Sequence, residues 1–279
     1  MKTSNHLLRR LTAALLAAVL TLSIALPVFA SDDGDTIYIN SVSDLLSLAK
    51  SCAYDQWSVG KTVILQKDLS LEGMLWEPIP SFSGQFKGNG HTISDLTITG
   101  QYSPAGLFGI VEEQGSIESL SVRGVVSVSD SADTTTGGIV GINHGTLISC
   151  QFTGVVTGDS EVGGIVGRNE SEGTIDHSTA RAIVTGKSST GGIAGYNLGA
   201  ITGCTNVGSI NTEYQEASLD TDGFTAKMVD YINNKMAAAD DDATNSVTNV
   251  ATDTGGIAGR SSGMILTSVN TGTIGYEHI

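Results

Sequence analysis

The chain has 279 residues, a formal net charge of −15, 35 glycines, four prolines and only 5% aromatic residues. An acidic balance of this size repels nucleic acid and anionic membrane surfaces, which sets both aside as partners. Abundant Gly with Thr, Ser, Val and Ile suits many short strands joined by tight corners, and the regular apolar spacing described below excludes disorder.

Residues 1–30 read as a secretory signal peptide outside the fold. Lys2, Arg9 and Arg10 form its basic region, Leu11 to Leu26 its apolar region, and Val28-Phe29-Ala30 places small residues where a signal peptidase cuts. The apolar region is short for a spanning helix, Pro27 precedes the cut, and no cysteine follows it for a lipid anchor. Removing those three basic residues takes the net charge from −15 to −18. Residues 31–279 contain no second apolar run of membrane-spanning length.

Residues 31–83 are expected to form an N-terminal cap and the first coils of a stack. Residues 36–39 read as a strand. Ser43 is placed to cap a helix running through Lys50, with Leu45, Leu46, Leu48 and Ala49 as its apolar face. Trp57 and Trp76 are expected to pack near this cap. Lys61 to Leu71 alternates as an early coil, and Gly84 to Gly100 forms the first clear repeat, with Phe86, Ile93, Leu96 and Ile98 pointing inward.

The repeat dominates residues 84–212. Gly137-Gly138-Ile139-Val140-Gly141 recurs at Gly163 to Gly167, Gly191 to Gly195 and Gly255 to Gly259, with a divergent copy at Ala105 to Gly109. Alignment of the copies yields apolar columns. One reads Ile93, Ile117, Leu147, Ile175, Ile201, Ile265; a second Leu96, Leu120, Cys150, Ser178, Cys204, Ser268. A third reads Ile98, Val122, Phe152, Ala180, Asn206, Asn270, and a fourth Val126, Val156, Val184, Ile210, Ile274. Like sits on like, so stacked coils build a core that a single coil cannot. A period near 26, with three short strands per turn, fits neither a propeller blade nor a leucine-rich repeat. It predicts an all-β, right-handed parallel β-helix (a β-solenoid) with an N-terminal capping helix and one helical insertion.

The cysteines test this reading. Cys150 and Cys204 share a column with Ser178 between them. At about 4.8 Å per coil their sulfurs lie too far apart for a disulfide. Free, buried thiols are expected, with Cys52 also unpaired. Residues 213–254 interrupt the array. Phe224, Met228, Tyr231, Ile232 and Met236 recur at helical spacing and predict an amphipathic helix over 223–239, lying against the side of the stack. Asp240 to Asp242 and the polar stretch beyond should form a loop. The last coil, 255–279, ends at Gly275-Tyr276-Glu277-His278-Ile279. This reads as a truncated array, an end that pairs with a partner, or a tolerated open edge, with truncation favoured and end-to-end association through the last coil expected of an uncapped edge.

Gly-Gly-Ile-Val-Gly-x-Asn, followed by Gly-Thr-Leu/Ile and a later Gly, resembles the GLUG-type repeat of bacterial surface proteins. Gly84-Gln85-Phe86-Lys87-Gly88-Asn89-Gly90-His91-Thr92-Ile93 resembles an early coil of pectate-lyase-like β-helices. Together the likenesses cover most of 84–212 and again 255–275. They imply a secreted or cell-surface, adhesin-like binding or structural role, with an extracellular glycan, matrix component or protein as partner. The chain departs from such proteins in showing no sorting signal, C-terminal membrane segment or attached enzyme domain.

A β-helix that degrades polysaccharides needs clustered carboxylates, a metal or a base. Asp176 and His177 are neighbours that a strand would send to opposite faces. The column aligned with Asp176 reads Ser94, Glu118, Ile148, Asp176, Thr202, Leu266, with Asp95 offset by one position, and contains no basic partner. His91 and His144 sit in turns and read as corner residues. No catalytic residue is therefore assigned, no cofactor is implied, and a non-enzyme is favoured. A polysaccharide lyase or glycoside hydrolase using an outward groove is the alternative. Asp220-Thr221-Asp222-Gly223, Asp240 to Asp242, and Asp32, Asp33 and Asp35 read as solvated acidic loops, and calcium binding stays open. Asn143, Asn169, Asn197, Asn206 and Asn270 read as turn or ladder residues.

Overall fold

The computed structural model describes residues 35–54, 56–128, 134–212 and 252–275. Its strands pair in parallel from coil to coil and build four sheets. Sheet A has eight strands, from Thr36–Ile39 to Met264–Leu266, and sheet B nine, from Leu69–Ser70 to Val269–Asn270. Sheet C has six, from Ile79–Phe82 to Ala258–Ser261, and sheet D four, from Thr136–Gly137 to Thr252–Gly255. Within each sheet the hydrogen-bonded neighbours come from successive coils. The fold is the expected all-β parallel β-solenoid, with sheet D as a fourth, short strand per coil where three were anticipated. The signal for sheet D was hidden because Ser160–Gly163 and its equivalents run straight into the glycine motif.

The one helix among the described residues, α1, spans Val42–Ser51. Its N-cap is Ser41, not Ser43: the Ser41 hydroxyl accepts from the Asp44 backbone N–H, and the Asp44 carboxylate accepts in return from the Asn40 N–H. Leu45 and Leu48 are buried in the core and Ala49 packs against it, whereas Leu46 is exposed. The helix packs against Thr36–Ile39 and Ile79–Phe82, the end strands of sheets A and C, as a cap requires. Trp76 is buried and donates its indole N–H to the Leu107 carbonyl at 3.1 Å; Trp57 is half-buried against the core. The expected helix over 223–239 lies outside the described residues.

Register confirms most of the columns and corrects the first coil. Val122, Phe152, Ala180, Asn206 and Asn270 are stacked, as are Val126, Val156, Val184, Ile210 and Ile274. Ile117 stacks on Phe86, however, while Ile93 pairs with Val122, Leu96 with Gly124 and Ile98 with Val126. The cause is local. The Gly88-to-His91 turn is longer than its later counterparts, and a bulge between Ile93 and Leu96 adds a residue to the strand. All four of Phe86, Ile93, Leu96 and Ile98 are nonetheless fully buried.

The three cysteines are free and buried. In their column the Cys150 N–H donates to the Ser178 hydroxyl at 3.1 Å, and the Ser178 N–H to Cys204 Sγ at 3.4 Å. Burial pushes the Cys150 thiol up to about 12 and those of Cys52 and Cys204 up to about 11, against an ordinary 9.0. In the native state a thiol reagent should modify none of the three, and denaturant should release all three. The same thiols make stability pH-dependent in the alkaline range. Below pH 9 they are protonated whether folded or unfolded, so they cost nothing. As pH rises from 9 toward 11 and 12, unfolding is increasingly favoured because only the unfolded chain ionises them. Denaturant melts between pH 8 and 11 check this sign.

Candidate functional site

Core positions are consumed by packing, so chemistry is confined to outward side chains and corners. At the corner between sheets A and B, Ser119, Ser149, His177, Gly203 and Thr267 stack with φ between 46° and 61°. This left-handed conformation ends the alternation of the preceding strand. Asp176 and His177 therefore do not diverge, as strand geometry would require; His177 Nδ1 lies 2.8 Å from Asp176 Oδ2. The column through Asp176 also differs from expectation. Lys87, not Ser94, stands next to Glu118, with Ile64 and Tyr38 before it, so the column does carry a basic residue.

A second polar cluster lies on the outer side near the first clear coil. Asp68 Oδ1 lies 3.1 Å from His91 Nδ1 and accepts the Thr92 backbone N–H at 2.9 Å. These two bonds, the backbone one foremost, hold the Asp68 carboxyl below its ordinary range. At the bulge, Asp95 adopts φ 60° and its Oδ2 accepts from the hydroxyls of Ser70 at 2.5 Å and Ser94 at 2.8 Å. A cleft of about 420 Å³ opens here, lined by Asp68, Leu69, Ser70, Thr92, Ser94 and Arg123. His91 thus has an acidic partner from the preceding coil, which sequence separation concealed. The bulge at Asp95 carried no sequence signal beyond the offset from its neighbours.

A third cluster decorates sheet C. Arg168 donates to Glu161 at 2.9 Å and Glu170 at 2.7 Å. Partial burial opposes its charge, but the two carboxylates hold the guanidinium above its ordinary value, so it cannot act as a base. The outward column reads Ser81, Ile110, Ile142, Arg168, Tyr196, Arg260. The Tyr196 ring sits between the guanidinium groups of Arg168 and Arg260, 5.2 and 5.6 Å from its centroid. Here three charged side chains meet within hydrogen-bond reach, and they form a satisfied ion-pair network.

Among the described residues no group of three or more His, Cys, Asp or Glu side chains is arranged to hold a metal ion. Asp32, Asp33, Asp220, Asp222 and Asp240 to Asp242 lie outside the described residues, and Asp35 is exposed. His144 is half-buried just after the sheet C strand Val140–Asn143. No helix of the described residues is long and apolar enough to cross a membrane.

Coil stacking, column register and an apolar interior place the chain among the parallel β-solenoids. The sequence carries one recognised unit: the family model of the GLUG motif matches residues 158–185, which run from Gly158 through the glycine motif to Thr185. The chain is 31% identical over 155 residues to halomucin of Haloquadratum walsbyi, covering 51% of this chain and 2% of that protein. It is 29% identical over 137 residues to a Gly-rich membrane protein of Evansella cellulosilytica, covering 36% of this chain and 16% of that one. It therefore spans a small fraction of the length of these relatives. In solved structures, it superposes with a TM-score of 0.58 and 18% identity on a candidate immunoglobulin A1 protease from Bacteroides ovatus, covering 86% of this chain and 66% of that one. At that identity the likeness is one of fold.

Proposed function

We propose that this chain is an exported, cell-surface β-solenoid with an adhesin-like binding role toward an extracellular glycan, matrix component or protein. The observation that carries the reading is the outward column of sheet C. Ile110, Ile142, Arg168, Tyr196 and Arg260 lie side by side on one face, and aromatic and arginine side chains are the types that recognition surfaces enrich. Stacked coils make such a face long, which suits extended partners. The basic and apolar stretches of residues 1–30 support export, and the names of the two relatives fit a surface setting. The exposed apolar side chains of Met264, Ile265, Leu266 and Val269 support end-to-end association as a further property of the same array.

The test is retention of the purified chain on arrays of glycans, matrix proteins and cell-surface proteins, run beside a depolymerisation assay on neutral and acidic polysaccharides with and without calcium. Retention without new chain ends is the expected result. New chain ends from any polymer would replace this reading with the lyase or hydrolase alternative.

A further inference from the structure

We infer that the cleft lined by Asp68, Leu69, Ser70, Thr92, Ser94 and Arg123 is a saccharide subsite that holds one residue of an uncharged glycan through two neighbouring hydroxyl groups. The inference rests on the binding reading above and gives it a place and a ligand chemistry.

The cleft's volume of about 420 Å³ is of the size that takes a sugar ring. Three of its polar groups, Asp68, Ser70 and Ser94, are held by hydrogen bonds before any ligand arrives. Both protein bonds to the Asp68 carboxylate fall on Oδ1, from the Thr92 N–H and the His91 ring, which orients the group and leaves Oδ2 to accept from a ligand. The Ser70 and Ser94 hydroxyls are locked onto Asp95. A site held rigid in this way loses little conformational entropy on binding.

The ligand class follows from donor and acceptor types. An ionised carboxylate only accepts hydrogen bonds and a guanidinium only donates them. A pair of adjacent sugar hydroxyls can donate to Asp68 and accept from Arg123 at once, and both bonds are charge-assisted. A carboxylated or sulfated sugar would suit Arg123 but would set its anion against Asp68 and Asp95, on a chain of net charge −15.

The test compares the purified chain with Asp68→Asn and Arg123→Gln on one array carrying uncharged, carboxylated and sulfated glycans, matrix proteins and peptides. Asp68→Asn keeps an acceptor for the Thr92 N–H, and melting curves establish that both variants fold. Expected are retention of the parent chain on uncharged glycans and a loss of roughly ten- to a hundredfold in affinity in each variant, as for hydrogen bonds to charged groups. Retention on uncharged glycans that neither folded variant weakens would overturn the subsite and leave the binding reading standing. Retention only on acidic glycans, or only on proteins or peptides, would overturn the ligand chemistry. Absence of retention on every surface would overturn both.

Discussion

Replacing Gly163 by alanine should abolish the cooperative unfolding transition of the parent chain or cost at least about 4 kcal/mol, the range reserved for core disruption. A Cβ built on Gly163 would lie 1.9 Å from the Val166 carbonyl oxygen, 2.7 Å from the Gly195 nitrogen and 2.8 Å from the Ala194 Cα. All three are backbone atoms, of the same turn and of the next coil, so no flexible side chain can move aside. The same encounter with the carbonyl three residues on recurs at Gly137, Gly191 and Gly255, at 2.1, 2.0 and 2.0 Å. The damage would also spread, because coils contact only their neighbours and a displaced coil weakens the interfaces on both sides. Gly60→Ala is the control. There φ is +73° but nothing lies within 4 Å, so only the backbone penalty of about 1–2 kcal/mol applies. Urea melts of the two variants should differ by several-fold in lost stability. Equal, small losses would mean that the motif's first glycine is not sterically required.

The remaining glycines of the motif are explained in the same terms. The second, at Gly138, Gly164, Gly192 and Gly256, faces the interior column, where an added Cβ would meet Phe152, the Gly192 carbonyl and Ala180, Asn206 and Asn270 in turn. The third lies against the chain of the preceding coil: Gly195 against Glu161 and Val162, Gly259 against Ser189 and Thr190. A motif written as Gly-Gly-Ile-x-Gly is therefore three separate steric demands made by one tight corner.

This is why the fold was legible and the site was not. Repetition prints the interior onto the sequence: Val126, Val156, Val184, Ile210 and Ile274 stack as their spacing requires. The columns failed where repetition lapsed, in the Gly88-to-His91 turn and at the Asp95 bulge, and the candidate cleft lies at that lapse. Its partners, Asp68 with His91 and Ser70 with Asp95, come from successive coils with no common motif. At Asp176 and His177 the alternation rule failed for a different reason. The corner forces φ 46° on His177, a conformation that its residue type does not announce.

Asn169→Leu should cost about 3–5 kcal/mol although leucine is close in size and more apolar, because it breaks a buried ladder in the middle. Asn143, Asn169 and Asn197 are fully buried and stacked. Asn143 Nδ2 donates to Asn169 Oδ1 at 2.8 Å, Asn169 Nδ2 donates to Asn197 Oδ1 at 2.8 Å and the Gly173 carbonyl at 3.0 Å, and Asn197 Nδ2 donates to the Ser261 hydroxyl at 3.1 Å. Leucine would strip the ladder partner from Asn143 Nδ2 and Asn197 Oδ1 together, at roughly 1–3 kcal/mol for each group left unsatisfied, while the Gly173 carbonyl keeps the Ala200 N–H at 2.9 Å. The column itself accepts apolar side chains, since Val111 pairs with Asn143 one coil earlier; it is the lone interruption that is costly. Single hydroxyls are better tolerated: Thr136 and Thr190 bury theirs without a partner in a column where Val162 occupies the intervening place. Asn169→Asp separates charge from shape. Its carboxylate would be buried with no cation beside it in the ladder, and it would face the Asn197 oxygen that now receives a donor. Burial raises its pKa in the folded state, so the variant should be least stable at neutral pH and recover as pH falls toward the unfolded carboxyl value of about 4. Melts of the parent, Asn169→Leu and Asn169→Asp from pH 7 to 4 decide it. A deficit in Asn169→Asp that does not shrink with acid, or an Asn169→Leu chain as stable as the parent, would show that the ladder contributes shape alone.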